Sequence, residues 1–530
     1  MTTSPAWDEQ TDIVVIGAGG AGLMAACAAA RAGSRVLLLE KAPCIGGTTA
    51  LAVGSIMAAG TQQQRDAVIV DSAEDHAEDL EAVARGFGIS NNSALSALMA
   101  RHAAEAVEFL RNTGVVFADP LPQPPHRQPR LHQVIPGSAS YIHHLERACL
   151  KAGVVIRVST AATRLVQSDG RVTGVEVNDG QGAPRSIAAA QGVILASGDI
   201  AGNAALLSTH IGEGLEGIEV LNPWCTGDGH SMGAAAGAQV VSRPDYGAGE
   251  LAQMRFVKPA KPNWTQRIPP FKCIAWLIRT ALQYPPAVAL LRPFVLKFLT
   301  TALGVDRGIF VQGALLVNQR GERFADELAG TILQDVGSHE RAAGKPASAS
   351  KTPNLLLPRQ PGGVGYIVFD ERIARQFSAW PHFISTAPGV AYAYMDDYRR
   401  ARPDIFHSAP TLEGLAGQLG MDAGLLQATI DASRKERGDK ALGAGPFYAL
   451  GPIKSWLLVT PVGLAVNTRL QVLDCEGRVI EGLYAAGGVG QGGFTNTGHG
   501  HGLAWAFTSG LLAGRQAAGT TTCEGDGNAS

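Results

Sequence analysis

The residues with the most definite chemistry are a glycine-rich turn, Gly17-Ala-Gly-Gly-Ala-Gly22, and an acidic residue that follows it, Glu40. Backbone at such a turn can approach a diphosphate closely, and the helix start behind it offers free N–H groups and the positive end of its dipole. Gly17 permits the tight turn, Gly19 lets backbone approach the pyrophosphate, and Gly22 lets the helix lie against a sheet. Glu40, 18 residues after Gly22, is placed to accept hydrogen bonds from an adenosine ribose. The bland alternative is a glycine turn without a ligand.

The flanking segments decide between the two. Residues 12–16 are an apolar run that enters the turn, an alanine-rich helical stretch leaves it, and residues 35–39 form a second apolar run that closes at Glu40. Strand, glycine turn, helix, strand is the order a dinucleotide-binding unit needs. Further along, 75–112 reads as helical, with an amphipathic span from Ser93 to Arg111, and 118–137 with its six prolines reads as a loop. Helix is expected over 138–151, strands over 154–158 and 172–177 about the turn Ser168-Asp169-Gly170, and a buried strand over 192–196. Strands at 314–318 and 365–369, a polar mobile loop between Gln334 and Thr352, helix over 411–437, and two strands about the turn Asp474–Gly477 complete the reading. The residues after Gly519 are expected to fray.

Composition bounds the rest. At 530 residues, with 46% hydrophobic and only 17% charged residues, the chain should form at least two well-buried domains. A formal net charge of −2 gives no global steering toward nucleic acid. The seven cysteines are scattered with no CxxC pair, which disfavours a disulfide framework, a zinc site and an iron–sulfur cluster, so no metal is expected. The start MTTSPAWDEQ has no basic region, apolar run or twin arginine, and a cytoplasmic protein is expected.

One segment is unusual. From Leu251 to Val305 there is no Asp or Glu, while eight Lys and Arg stand among Trp264, Phe271, Trp276, Phe294 and Phe298. Such a basic, aromatic stretch fits a membrane surface, and it equally fits an insertion, 255–304, whose apolar face packs on the protein itself. Its longest uncharged run, Thr280 to Leu291, is too short to span a bilayer.

Taken together, the glycine turn with Glu40, Gly46-Gly-Thr-Thr49, Ser197-Gly198, Thr226-Gly-Asp-Gly229, Gly321-Glu-Arg-Phe324 with Glu327, and Gly482-Leu-Tyr-Ala-Ala-Gly487 resemble, in order, the flavoproteins that include fumarate reductases and 3-ketosteroid dehydrogenases. The resemblance covers about residues 10–515. It implies an α/β fold with an α+β cap: a two-dinucleotide-binding, glutathione-reductase-like FAD domain from 1–245 and 452–520, and an inserted cap domain from 246–451. The implied FAD contacts are Gly17, Gly19, Gly20, Ala21, Gly22, Glu40 and Lys41 on the first unit, then Gly46, Gly47, Thr48, Thr49 and Gly54. They continue at Ala162, Ser197, Gly198 and Asp228, and end at Gly487, Gly488, Gly502, Leu503 and Ala504. Thr48 stands where the covalently flavinylated members carry histidine, which implies FAD held non-covalently.

The resemblance also separates substrate classes. At the positions where fumarate reductases hold a dicarboxylate with histidine and two arginines, this chain has Val459, Thr331 and Thr497, so dianionic substrates are not expected. The substrate should be neutral, or singly charged with its charge held elsewhere. Against the ketosteroid dehydrogenases, Asn496 replaces the ketone-binding tyrosine, Gly500 keeps the backbone amide, and Thr331 stands at the proton-abstracting tyrosine. In such a reaction a hydride leaves one carbon for the flavin, a base takes the proton alpha to a ketone, and donors hold the developing enolate oxygen.

Another base is therefore needed. Candidates are His499 and His501, whose ordinary pKa suits acid–base work, then Tyr141, His126 and His132. The alternatives are that His499 and His501 only orient other groups, and that His126 and His132 lie in an exposed loop. Phe494, Trp505 and the aromatics of the insertion are expected to line the pocket. The leading expectation is an FAD-dependent ketone dehydrogenase or enone reductase acting on a CH–CH bond of an apolar, cyclic or steroid-like carbonyl compound. A CH–OH dehydrogenase or oxidase and a membrane-surface electron-transfer flavoprotein are the alternatives. The electron acceptor or donor is unidentified, with a quinone among the options and peripheral membrane contact an open partner.

Overall fold

The computed structural model describes residues 7–86, 88–180, 182–243, 251–259, 268–329, 352–387, 391–494 and 498–520. The apolar run expected at 12–16 is the end of a strand, Glu9–Ile16, that lies at the centre of an eight-stranded sheet. It pairs in parallel with Val36–Leu39 on one side and Arg185–Leu195 on the other, and Val479–Ala485 joins the far side of the latter, also parallel. Apart from the polar first half of Glu9–Ile16, these strands are apolar through most of their length, as parallel strands covered on both faces must be.

The helix Gly20–Arg31 leaves the glycine turn, and the C-terminal helix His501–Ala517 packs along it. Small residues let them touch: a Cβ on Gly510 would stand 2.4 Å from the Ala21 carbonyl oxygen. Both chain ends thus complete one layer around one core, which includes Val14, Leu38, Ile194, Leu483 and Phe507.

A second sheet is built around the long strand Phe447–Leu457. It runs Glu219–Val220, Phe447–Leu457, Gly365–Asp370, Leu315–Asn318, with Ala252–Phe256 and Phe406–Ala409 also on Phe447–Leu457. Its own core includes Phe256, Leu316, Phe369, Tyr398 and Leu450.

Several elements depart from expectation. The helix read over 75–112 is two, Ala73–Gly86 and Ser93–Thr113, the second capped by the Asn92 side chain on Leu95 N. The proline-rich loop contains a strand, Leu131–Ile135, held between Ser55–Met57 and Val116–Phe117. An extra strand, Ala161–Ser168, pairs across the Ser168–Gly170 turn with Arg171–Asn178. Residues 412–437 break at Gly420, in left-handed conformation, into Leu412–Leu419 and Ala423–Arg437. The loop expected at 334–352 lies, but for Thr352, outside the described residues, as do 521–530. Among the described residues, no helix is long and apolar enough to cross a membrane.

Candidate active site

A cavity of about 790 Å³ opens where the two sheets meet. Its floor is the glycine turn. Gly17 adopts φ 103°, and a Cβ on Gly22 would stand 1.8 Å from the Gly17 carbonyl oxygen, so the turn closes only with glycine at these places. At Gly19 a Cβ would meet nothing within 4 Å, which leaves the helix start open toward the cavity. The N-cap Gly19 brings no side chain to that helix, so apart from Gly20 N, which Thr49 takes, its first-turn N–H groups are available to a phosphate.

The other expected contacts fall around the same space. Glu40 is buried and accepts from Ala18 N and Ala42 N, both at 2.8 Å, which fixes its carboxylate while leaving lone pairs for ribose hydroxyls. Thr49 Oγ1 accepts from Gly20 N at 3.1 Å, tying the Gly46–Thr49 segment to the turn. Lys41 pairs with Asp228 at 2.5 Å and with Thr226, so this lysine carries no free charge into the cavity. Gly20, Ala21, Gly47, Thr48, Gly54, Ala162, Ser197, Gly198, Gly487, Gly488, Gly502 and Leu503 also line it. Gly22, Gly46 and Ala504 stand behind that lining: Gly46 N donates to Ala18 O and Ala504 N to Gly500 O. Size, glycine cradle and an acidic ribose partner together fit a dinucleotide such as FAD.

Beyond the cradle lies a polar cluster that motif reading passed over. Thr48 Oγ1 lies 3.3 Å from Cys225 Sγ and accepts from Asn222 Nδ2 at 3.1 Å. Asp199 follows Ser197-Gly198 directly and accepts from Ala201 N at 3.0 Å and Thr460 N at 3.2 Å. Burial pushes its carboxyl up to about 6 despite these donors, and pushes the Cys225 thiol up to about 12. A carboxyl held near neutrality in a cavity is suited to proton exchange.

The other end of the cavity holds His499 and Arg255. Both side chains are partly buried. Desolvation brings His499 down to about 4, and the nearby Arg255 charge acts in the same direction, so the imidazole is neutral at pH 7. Gln123, turned as its hydrogen bonds require, donates to His499 O and accepts from His499 N, both at 2.8 Å, so the proline-rich loop clamps this backbone. Gly500 also lines the cavity, with φ 87° as it starts the C-terminal helix.

Arg255 was counted in sequence with a surface-seeking basic insertion, and that is corrected here. In the strand Ala252–Phe256 the residues Ala252, Met254 and Phe256 are buried in the protein, and the alternate face carries Gln253 and Arg255 into the cavity. Its guanidinium bonds Gln253 Oε1 at 3.0 Å, and no carboxylate among the described residues pairs with it. Desolvation alone pushes it down to about 10. The alternation in LAQMRF was the signal that could have shown this.

Other candidates fall elsewhere. His501 is fully buried behind the lining, its Nε2 3.4 Å from His76 Nε2 and its ring 5.0 Å from that of His126. Behind them Asp79 accepts from Arg127 and Arg130; burial opposes its ionisation, but these donors and His126 hold its carboxyl far below the usual range. No group of three His, Cys, Asp or Glu among the described residues is arranged to hold a metal ion.

His126 and His132 are buried and not in an exposed loop, because the strand Leu131–Ile135 carries the segment inward. His132 donates through Nδ1 to Arg130 O at 2.7 Å and meets Thr61 Oγ1 at 2.9 Å, and desolvation brings it down to about 4. Tyr141 is corrected as a candidate base. Its hydroxyl donates to Gly54 O at 2.6 Å within the core, and burial raises its pKa well above 10. Phe494 stacks behind Trp505, which alone of the two lines the cavity. Phe271 and Trp276 face solvent instead of the pocket. Thr331 and Asn496 lie outside the described residues.

Comparison with known proteins agrees with the cradle. The model of a family described as FAD binding domain matches residues 12–245 and 293–504. A probable fumarate reductase of Shewanella frigidimarina is 26% identical over 536 residues, covering 96% of this chain and 75% of that one. A 4-oxocyclohexanecarboxylate 2-dehydrogenase of Sinomonas cyclohexanicum is 24% identical, covering 98% and 94%. The crystal structure of a 3-ketosteroid-Δ4-(5α)-dehydrogenase from Rhodococcus jostii, at 24% identity and TM-score 0.58 with 98% of each chain covered, shares the fold.

Proposed function

The chain belongs to the FAD binding domain family and is an FAD-dependent oxidoreductase of C=C or CH–CH bonds; within that chemistry we propose that it acts on a bond next to a carbonyl whose oxygen is held by Arg255. When bound, FAD supplies hydride exchange with the substrate. The protein's task is then to hold the substrate, stabilise charge on its oxygen, and exchange one proton.

Arg255 carries this reading. A desolvated guanidinium with no carboxylate partner among the described residues is an incomplete site, and a substrate oxygen that gains negative charge completes it. His499, neutral beside it, can donate a hydrogen bond to the same oxygen or accept the alpha proton. Asp199, near neutrality, is the second group able to exchange that proton. Leu221, Trp224, Val459 and Trp505 give the cavity apolar walls.

The substrate is a ketone or enone that is apolar and cyclic. A second reading, that it bears a single carboxylate, is favoured by the unbalanced charge of Arg255, and the relative named for 4-oxocyclohexanecarboxylate is named for a ring with one ketone and one carboxylate. A dicarboxylate would need a second unpaired cation, and Lys41 is already committed to Asp228. The sequence division into an FAD domain, 1–245 and 452–520, and a cap, 246–451, is kept as part of this proposal, as are non-covalent FAD and an electron carrier or quinone as redox partner.

The test is anaerobic stopped flow. Photoreduced enzyme is mixed separately with cyclohex-2-enone, crotonate and fumarate, and the flavin band is followed. Rapid reoxidation by either of the first two, with little by fumarate, is the expected result. Fumarate as the best oxidant would overturn the assignment.

A further inference from the structure

The basic insertion folds as two successive helices, Lys272–Ala281 and Pro285–Ala302, on the outside of the molecule. One side packs inward through Ala275, Leu296, Leu299 and Leu303, the last two against Val53 and Ala391. Two ion pairs pin it to the body, Arg279 with Asp119 and Arg292 with Asp397, both at 2.8 Å.

The other side does what a surface meant for water does not. Trp276, Leu277, Tyr284 and Leu290 are each more than 60% exposed. Among the described residues, 8 of the 18 exposed large apolar side chains fall between Phe271 and Val295. Scattered exposed apolar residues need no explanation, but a contiguous cluster marks a contact surface.

Charge chooses the partner. No acidic residue occurs from Leu251 to Val305, and of the basic residues Lys272 stands exposed at the start of the first helix, while Arg279 and Arg292 are held by Asp119 and Asp397. Apolar insertion with tryptophan and tyrosine, set among basic residues without acidic ones, is complementary to a bilayer interface carrying anionic lipid. A protein partner of ordinary composition would not call for the total loss of acidic residues.

We propose that this pair of helices docks the enzyme on an anionic membrane surface, with the apolar side chains in the headgroup boundary. The second helix runs into the cavity wall, since Ala302 at its end and Gly304 and Val305 beyond it line the cavity. Docking therefore holds the cavity rim close to lipid, where apolar compounds and quinones concentrate. The proposal does not depend on which compound is turned over.

The experiment is flotation of FAD-loaded protein with vesicles of phosphatidylcholine, alone or with phosphatidylglycerol, at low and high salt. Wild type should float with the anionic vesicles at low salt and be released by high salt. Trp276→Ser with Leu277→Ser should abolish flotation, and Lys272→Glu should weaken it by about five-fold or more, since each cation near such a surface contributes about that factor. An unchanged flavin spectrum and unchanged enone turnover in solution would show that the variants are folded. Equal flotation on both vesicle types, or none on either, would overturn the proposal. So would light scattering showing a dimer that the double variant dissolves, because the face would then be a self-association surface.

Discussion

Replacing Arg255 by glutamine should make the protein more stable and a worse enzyme. A guanidinium brought down to about 10 by desolvation carries a cost of roughly 3 kcal/mol against its charged form, since each pKa unit is about 1.4 kcal/mol. Water in the open cavity reduces this to about 1–3 kcal/mol. The sign follows from linkage: a cation with a depressed folded pKa destabilises the fold at every pH below about 10, so an amide there removes a penalty at pH 7. Catalysis moves the other way. Loss of a hydrogen bond from a charged donor to the reacting oxygen costs about 1.5–3 kcal/mol, or about 10- to 150-fold in kcat/KM. Thermal unfolding followed by flavin fluorescence, together with steady-state reduction of cyclohex-2-enone and crotonate, measures both effects. A lowered melting temperature with kcat/KM within about two-fold of wild type would refute the reasoning, because Arg255 would then be a structural cation with a protein partner.

Four other outcomes follow from the site. Gly22→Ala should be purified without flavin, because its Cβ would collide with the Gly17 carbonyl, as the absorbance ratio of flavin to protein would show. If neutral His499 is required, kcat/KM should hold from pH 7 down toward pH 5 and fall only as pH approaches about 4; an acid limb at an ordinary histidine value would count against it. Asp199→Asn should raise the melting temperature at pH 8 more than at pH 4, since a carboxyl raised to about 6 binds its proton more tightly folded and loses stability as pH climbs from about 4 to 6. Tyr141→Phe should cost about 1–2 kcal/mol in denaturant unfolding through the lost bond to Gly54 and leave kcat/KM unchanged, whereas a large kinetic loss would restore this tyrosine as a proton carrier.

The cofactor cradle was legible because its chemistry is local. The turn at Gly17–Gly22 and Glu40 lie within one strand–helix–strand unit, and their spacing alone brings them together. The substrate end was not, because it joins residues far apart in the chain: Gln123 from a proline-rich loop, Arg255 from a short strand and His499 before the last helix. Arg255 was read by composition, as one cation among eight, when the alternation of its strand was the better guide. His126 and His132 were read as exposed because prolines surround them, and the pairing of Leu131–Ile135 with strands from 55–57 and 116–117 overrode that local signal. Asp199 went unnoticed beside Ser197-Gly198 since nothing in sequence marks a carboxylate as desolvated.

The pairing of the first helix with the last has a bearing on how the protein is made. Gly20–Arg31 is translated hundreds of residues before the surface it must pack against, His501–Ala517. Strand Val479–Ala485 is as late, and it supplies the outer neighbour of Arg185–Leu195. Until those segments are made, the nascent chain carries an unfinished sheet and an open nucleotide cradle, so stable loading of the prosthetic group waits for them.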